Sequence, residues 1–403
     1  MTQAQVISDI PKPVNYAALV IKMILALALF FLAIDWLTFA VSQVNDNTAR
    51  EIFSATANPF VGLFIGLLMT ALIQSSSTVT SMVVAVVASG NLNFASAVPM
   101  IMGANIGTTL TSTLVSLGYV IKKDQFRKAI SAGILHDFFN IFIVIILLPL
   151  EYYFQALSGS AAYIATNYFS IDQNFSGELS YGKLFTRPLT EAIMSLIPNV
   201  YLSITLSVLL LFLAIKLLSG IIYKAFIVEG FKKTSKKIFK SPLSAFSMGT
   251  LITAAVQSST VTTSLIVPLV AAKKVSLSKV FPFIIGANVG TTITAVIASL
   301  YKSEAAVSIA IAHVLFNLFG ALLFLPFPFL RNIPINLAAR FGNMTTKTRF
   351  VGFAYILMTF FVIPFLLIYF NRSDQSRLQT RKKAETFWSI PKEEKDTNKS
   401  DLS

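Results

Sequence analysis

Gln74-Ser75-Ser76-Ser77-Thr78 sits inside a segment apolar enough for a bilayer, and Gln257-Ser258-Ser259-Thr260 repeats it further along the chain. Hydrocarbon supplies no hydrogen-bond partners, so hydroxyls and an amide at that depth are costly unless they line a cavity or a solute path. Finding the cluster twice implies a duplicated membrane unit with two half-sites, the organisation expected of a transporter.

The duplication extends well beyond the serines. At a constant offset of 183 residues (257 − 74), Gly66, Thr70, Pro99, Gly103, Asn105, Gly107, Thr108, Thr109 and Thr111 recur as Gly249, Thr253, Pro282, Gly286, Asn288, Gly290, Thr291, Thr292 and Thr294. Past a shortened loop, His136 and Asn140 recur as His313 and Asn317. Around these repeats the chain is 55% hydrophobic and only 12% charged, with a mean hydropathy of +0.72. Soluble domains carry roughly 25% charged residues, and residues 52 to 121 carry none. The net charge of +14 falls in loops and the C-terminal tail. Interleaved with apolar spans, it reads as the positive-inside bias of a membrane protein and not as a nucleic-acid surface. With no cysteine there is no disulfide or thiol chemistry. The first apolar run lacks the basic lead and cleavage site of a leader, so it is expected to remain a helix.

Apolar runs of about 20 residues fall near 17–43, 93–120, 129–150, 192–222, 280–300, 305–327 and 350–371. The expected organisation is an N-terminal segment with the first transmembrane helix (1–56), repeat 1 (57–151) and an extracellular loop (152–189). A transmembrane helix with a basic cytoplasmic loop (190–242), repeat 2 (243–330), a C-terminal transmembrane segment (331–371) and a disordered charged tail (372–403) follow. The loops flanking the repeats carry opposite bias. Lys122, Lys123, Arg127 and Lys128 have only Lys302 beside Glu304 as counterparts, while Lys273, Lys274 and Lys279 stand where repeat 1 is uncharged. Inverted repeats predict that reversal. One crossing per span leaves the basic tail on the outside, so either 331–346 adds a crossing or one span is misread.

The expected fold is therefore an all-α integral membrane protein built from two inverted repeats, with re-entrant helical hairpins and discontinuous helices. A hairpin tip of Gln, Ser and Ser offers oxygen ligands to a hard cation, and free helix-end N–H groups to an anion. The bland alternative is that these hydroxyls bond back to their own helix or glue neighbouring ones. Gly103-Ala104-Asn105-Ile106-Gly107-Thr108-Thr109 and its copy Gly286 to Thr292 read as unwound, ligand-facing segments, against a close-packing alternative. Neither motif carries a carboxylate, lysine or arginine, which weighs against a transition-metal or divalent site. An anion held there would need co-bound cations to offset its charge. Asp35, alone in the first span, is a functional candidate by default, with a structural hydrogen bond as the alternative. His136 and His313, each four residues before an asparagine, read as polar contacts between helices, with proton coupling as the alternative.

Asn58-Pro59, Gly62, Gly66, Thr70, Gln74 to Thr78, Gly103 to Thr108 and His136-Asp137-Phe138-Phe139-Asn140 together resemble the type II sodium–phosphate cotransporters. The resemblance implies uptake of inorganic phosphate driven by sodium ions across a lipid bilayer, in the plasma membrane, by alternating access and with no other cofactor. It places phosphate on Ser75, Ser76, Ser77, Asn105 and Thr108, and sodium on Gln257, Ser258, Ser259, Thr291 and Thr294. Gln74, Thr109, Thr260, Asn288 and Asp35 are secondary candidates. A symporter of another oxyanion such as sulfate, or an uncoupled anion channel or sensor, remains an alternative. An enzyme is disfavoured because no nucleophile–base pair is visible.

Overall fold

The computed structural model describes residues 16–44, 56, 58–169, 186–222, 238–300 and 302–370, which are helical with no strand. The tail 372–403, the basic stretch 224–237 and the loop portion 170–185 lie outside the described residues. In chain order the first helices are α1 (Tyr16–Ser42), α2 (Pro59–Ile73), α3 (Ser76–Ala88), α4 (Phe94–Gly107) and α5 (Leu110–Leu117). They are followed by α6 (Lys123–Phe154), α7 (Ala156–Tyr168), α8 (Arg187–Leu196) and α9 (Val200–Ile222). The second copy comprises α10 (Pro242–Val256), α11 (Ser259–Ser264), α12 (Ile266–Ala271), α13 (Leu277–Ser299) and α14 (Glu304–Phe324). Last come α15 (Pro328–Lys347) and α16 (Phe350–Leu357), which continues through a π turn to residue 370.

Among the described residues six helices are long and apolar enough to cross a membrane: α1, α6, α9, α13, α14 and α16 with its extension. The serine-motif helices are shorter. Fifteen residues in α2 rise only about 22 Å, less than the ~30 Å hydrocarbon core. Both motifs break the chain by the same local chemistry. Gln74 and Gln257 end their helices in the left-handed region, at φ 57 and 55. Ser75 and Ser258 then start the next helix as extended caps, their hydroxyls accepting from Thr78 N and Val261 N.

Packing decides the glycine motifs. A Cβ built on Gly103 lands on the Leu63 carbonyl of α2, and one on Gly66 lands on the Met100 carbonyl of α4. Gly286 and Gly249 meet the Phe246 and Phe283 carbonyls between α10 and α13 in the same way. Lipid gives apolar surfaces no reason to prefer each other, so close backbone approach between small residues drives such association. This corrects the expected unwinding. α13 runs unbroken through Gly286 to Thr292, and repeat 1 yields only at Thr108 and Thr109, both with right-handed helical dihedrals. The copies diverge at another point. α3 is continuous, whereas α11 and α12 part at Leu265. Pro268 explains it, because it cannot donate to Ser264 and its ring crowds that carbonyl. Its counterpart in α3 is Ala85.

Three further segments take definite form. Part of 152–189 is the helix α7, which buries Leu157, Ser158, Ala161 and Ala165 on one face. Its first N–H groups, on Leu157 and Ser158, are capped by the buried Glu151 carboxylate at 2.8 and 3.0 Å. The run 192–222 is two helices, divided at Ile197-Pro198-Asn199, where proline stops one and the Asn199 side chain caps the next. The segment 331–346 belongs to the polar helix α15, which is not among the helices apolar enough to cross.

The basic loops of the two copies meet. Lys273 pairs with Asp124 at 3.0 Å, and Arg127 reaches Asn343 of α15. Away from that end, Asn91 donates to the Val41 carbonyl at the end of α1, and Lys302 pairs with Asp35 on the same helix.

Because the Gly103 and Leu63 backbones touch, Gly103→Leu should cost on the order of 3 kcal/mol or abolish folding. Thermal melting in detergent would check it, with Gly220→Leu, whose Cβ position is open, as the tolerant control.

Candidate functional site

The two serine tips meet. Gln257, left-handed at the end of α10, leaves its carbonyl without a helical partner. The Ser77 hydroxyl in the first turn of α3 donates to that oxygen at 2.9 Å. Thr294 of α13 lies 3.5 Å from the same hydroxyl, and Ser112 of α5 bonds Thr263 of α11 at 2.9 Å. Residues 180 positions apart thus share one buried polar seam.

The expected ligands divide into three groups. Ser75, Ser258, Thr108 and Thr291 hold their own helices, the serines as caps and the threonines by bonds to Ala104 and Ala287 carbonyls. Thr109 likewise donates to Ile106. Each hydroxyl oxygen keeps acceptor capacity after such a bond. Ser76 and Ser259, one per copy, are buried at the first turns of α3 and α11. Gln257 is buried and its Oε1 has no partner, as have the hydroxyls of Thr70 and Thr253. Gln74 is exposed, so the two copies of this position are not equivalent. Among the described residues no bond from Thr260 to Gln74 matches the one from Ser77 to Gln257.

Beside the tips lies a network that links the halves. Asn288 Oδ1 accepts from His136 Nε2 at 2.5 Å, and the Asn288 amide nitrogen donates to Asn140 Oδ1 at 2.6 Å. Asn140 donates in turn to the Asn105 carbonyl at 2.8 Å. From the other copy, Asn317 reaches Asn105 Oδ1 at 3.4 Å. Each glycine-motif asparagine therefore pairs with the histidine-helix asparagine of the opposite copy. His136 thus makes a contact between helices through Nε2, whereas His313 is equally buried but its Nδ1 has no partner. Asn288 and Asn105 belong to this lattice, with their side-chain groups engaged by protein.

Asp35 is not brought to the tips. It is held by Lys302 at 3.1 Å and Thr190 at 3.2 Å, joining α1 to α8 and to the turn before α14. Those contacts tie three parts of the fold together. Sequence reasoning passed over Asp137, which is fully buried and receives the Tyr355 hydroxyl at 2.9 Å and Thr113 at 3.4 Å. Its lack of a counterpart in the second copy hid it, although its position beside His136 on a polar helix face was a usable signal.

Chemically, the seam offers neutral hydroxyl and amide oxygens together with the N–H groups of two helix starts. Among the described residues no three His, Cys, Asp or Glu side chains cluster as metal ligands. A monovalent hard cation suits such oxygens, and an anion suits the N–H groups.

Comparison with known proteins adds independent findings. The model of the family described as Na+/Pi-cotransporter matches residues 29–162 and 210–346. The chain is 30% identical to "Sodium-dependent phosphate transport protein 2A" of Mus musculus over 426 residues, covering 86% of this chain and 66% of that protein. The Ovis aries protein of the same name is 31% identical, at 85% and 66% coverage. "Sodium-dependent phosphate transport protein 2B" of Pongo abelii is 29% identical, at 83% and 63%. The chain thus spans just under two thirds of the length of these relatives. No solved structure matches.

Asn288→Ala would strand the His136 nitrogen and the Asn140 oxygen in a dry interior. At about 1–3 kcal/mol per orphaned group, the detergent-solubilised variant should melt several degrees lower. An unchanged melt would remove the network from the fold's support.

Proposed function

The chain belongs to the Na+/Pi-cotransporter family, and from that premise we propose that it is a sodium-coupled symporter importing inorganic phosphate by alternating access across the plasma membrane. The observation that carries the reading is the Ser77–Gln257 contact, which joins the tips of both copies in one buried seam. In this reading residues 57–151 and 243–330 are inverted transport repeats with re-entrant tips. The pairing of Lys273 with Asp124, and the approach of Asn91 and Lys302 to α1, support inversion. Such contacts are what inversion expects of equivalent loops, and the positive-inside rule then makes the lysine-rich end cytoplasmic.

Phosphate falls to repeat 1, on Ser75, Ser76, Ser77, Asn105 and Thr108. The free N–H groups at the start of α3 and its dipole supply anion donors. Sodium falls to repeat 2, on Gln257, Ser258, Ser259, Thr291 and Thr294, where the unpartnered Gln257 amide oxygen is the best-placed ligand. With no fixed cation in the motifs, co-bound sodium makes the anion's desolvation tolerable, which is why transport is coupled. The inequality of the tips supports a single occluding contact that must break and be exchanged for its mirror image, Thr260 to Gln74, in the opposite state.

Liposomes containing the purified chain should accumulate labelled phosphate only under an inward sodium gradient. Flux indifferent to sodium would favour a channel, and suppression by excess sulfate would favour a broader oxyanion carrier. Gln257→Ala should raise the sodium concentration for half-maximal uptake about tenfold, near 1.4 kcal/mol of lost binding, leaving phosphate dependence at saturating sodium little changed. The chain has no cysteine, so Ser112→Cys with Thr263→Cys, neither of them a proposed ligand, gives a clean cross-link across the seam. Oxidation should stop uptake and reduction restore it; full cross-linking with undiminished uptake would mean that the tips do not separate during transport.

A further inference from the structure

At the basic end of the molecule, away from the seam, a cavity of about 300 Å³ lies between the starts of α10, α13 and α15. Lys240, Lys279 and Arg331 line it together with Ser241, Ser278 and Asn332, and no acidic residue does. None of the three cations has a carboxylate partner among the described residues, and the Arg331 Nε is buried without an acceptor. Three like charges drawn to one hollow repel each other, and among the described residues no carboxylate offsets them. Three helices also begin here. Pro242 opens α10, Ser278 is in the first turn of α13, and Pro328 opens α15. Each adds partial positive charge and unpaired first-turn N–H groups.

The geometry points to a second anion site, taking a phosphate group: the headgroup of an anionic phospholipid, or free inorganic phosphate. A guanidinium and two ammonium groups match phosphate oxygens in number and charge. The volume corresponds to about ten waters at ~30 Å³ each, enough for a hydrated phosphate or a glycerophosphate. The walls include Phe239, Pro282 and Ile335, surfaces suited to a glycerol and the first acyl carbons. Phe327 and Phe329, at the start of α15, are exposed beside it and occupy the position of interfacial aromatic anchors. α15 buries Ile335, Ala338, Gly342 and Thr345 on one stripe and carries Arg331, Arg340 and Lys347, the pattern of a helix lying along a membrane surface. Basic pockets between membrane helices hold anionic headgroups by these means. Occupancy would tie α15 to the starts of α10 and α13, the two helices that carry one serine tip and its packing partner.

The test uses the full chain in neutral detergent. Phosphatidylglycerol, phosphatidylcholine and inorganic phosphate are titrated separately, and bound lipid is counted by native mass spectrometry alongside thermal melting. Phosphatidylglycerol should bind and raise the melting temperature where phosphatidylcholine does not, and Lys279→Gln with Arg331→Gln should weaken it about tenfold. Lys240→Gln, in a different segment, serves if the double variant does not fold. Lys122→Gln with Lys123→Gln, at the same end but outside the cavity, should change nothing. If inorganic phosphate alone produces the variant-sensitive stabilisation, free phosphate is the occupant. Binding unaffected by both cavity variants, or weakened equally by the Lys122 and Lys123 changes, would overturn the site.

Discussion

A polar group inside a bilayer must find its partner within the protein, and the arrangement of this chain follows from that need. Helix ends buried among apolar helices expose carbonyls and N–H groups that neither water nor lipid satisfies. Each tip meets part of the cost locally, by a serine cap. What remains is met across the molecule: the Gln257 carbonyl takes the Ser77 hydroxyl, and Ser112 takes Thr263. The two copies are held face to face by their own incompleteness. Oxygens at Gln257, Thr70 and Thr253 stay unpaired in that arrangement.

Around the seam, two different interactions divide the labour. Glycines bring α2 to α4 and α10 to α13 until backbones touch, which fixes each tip against a rigid partner. Asparagines and His136 then bind one copy to the other through a lattice with little room for substitution. The first interaction is within a copy and the second between copies. A carrier that rocks one half against the other would keep the former and rework the latter.

The duplication does not yield two equal halves. Pro268 divides one tip helix where Ala85 leaves the other whole, Gln257 is buried where Gln74 is exposed, and Asp137 has only Val314 opposite it. These differences lie at or beside the seam, so cation and anion duties can fall on different copies without any charged residue in the motifs.

Much of this was legible from residues alone. Composition and span length determined an all-helical membrane chain, since burying so many apolar groups admits little else. The 183-residue offset (257 − 74) located both tips, and Gln-Ser before a short apolar run placed the breaks, because a left-handed residue and a serine cap are local events. Choices between equally local alternatives were left to tertiary structure. Whether Gly286 to Thr292 unwinds or packs depends on a helix 40 residues away, whose Phe246 carbonyl fills the space. Whether Asp35 stands alone or is paired depends on Lys302, 267 residues distant. Periodicity could not reveal α7 as a packed helix, because its cap is a carboxylate from the preceding element. Sequence specifies what a segment can do by itself; which of those options survives is settled by the neighbour that supplies the missing partner.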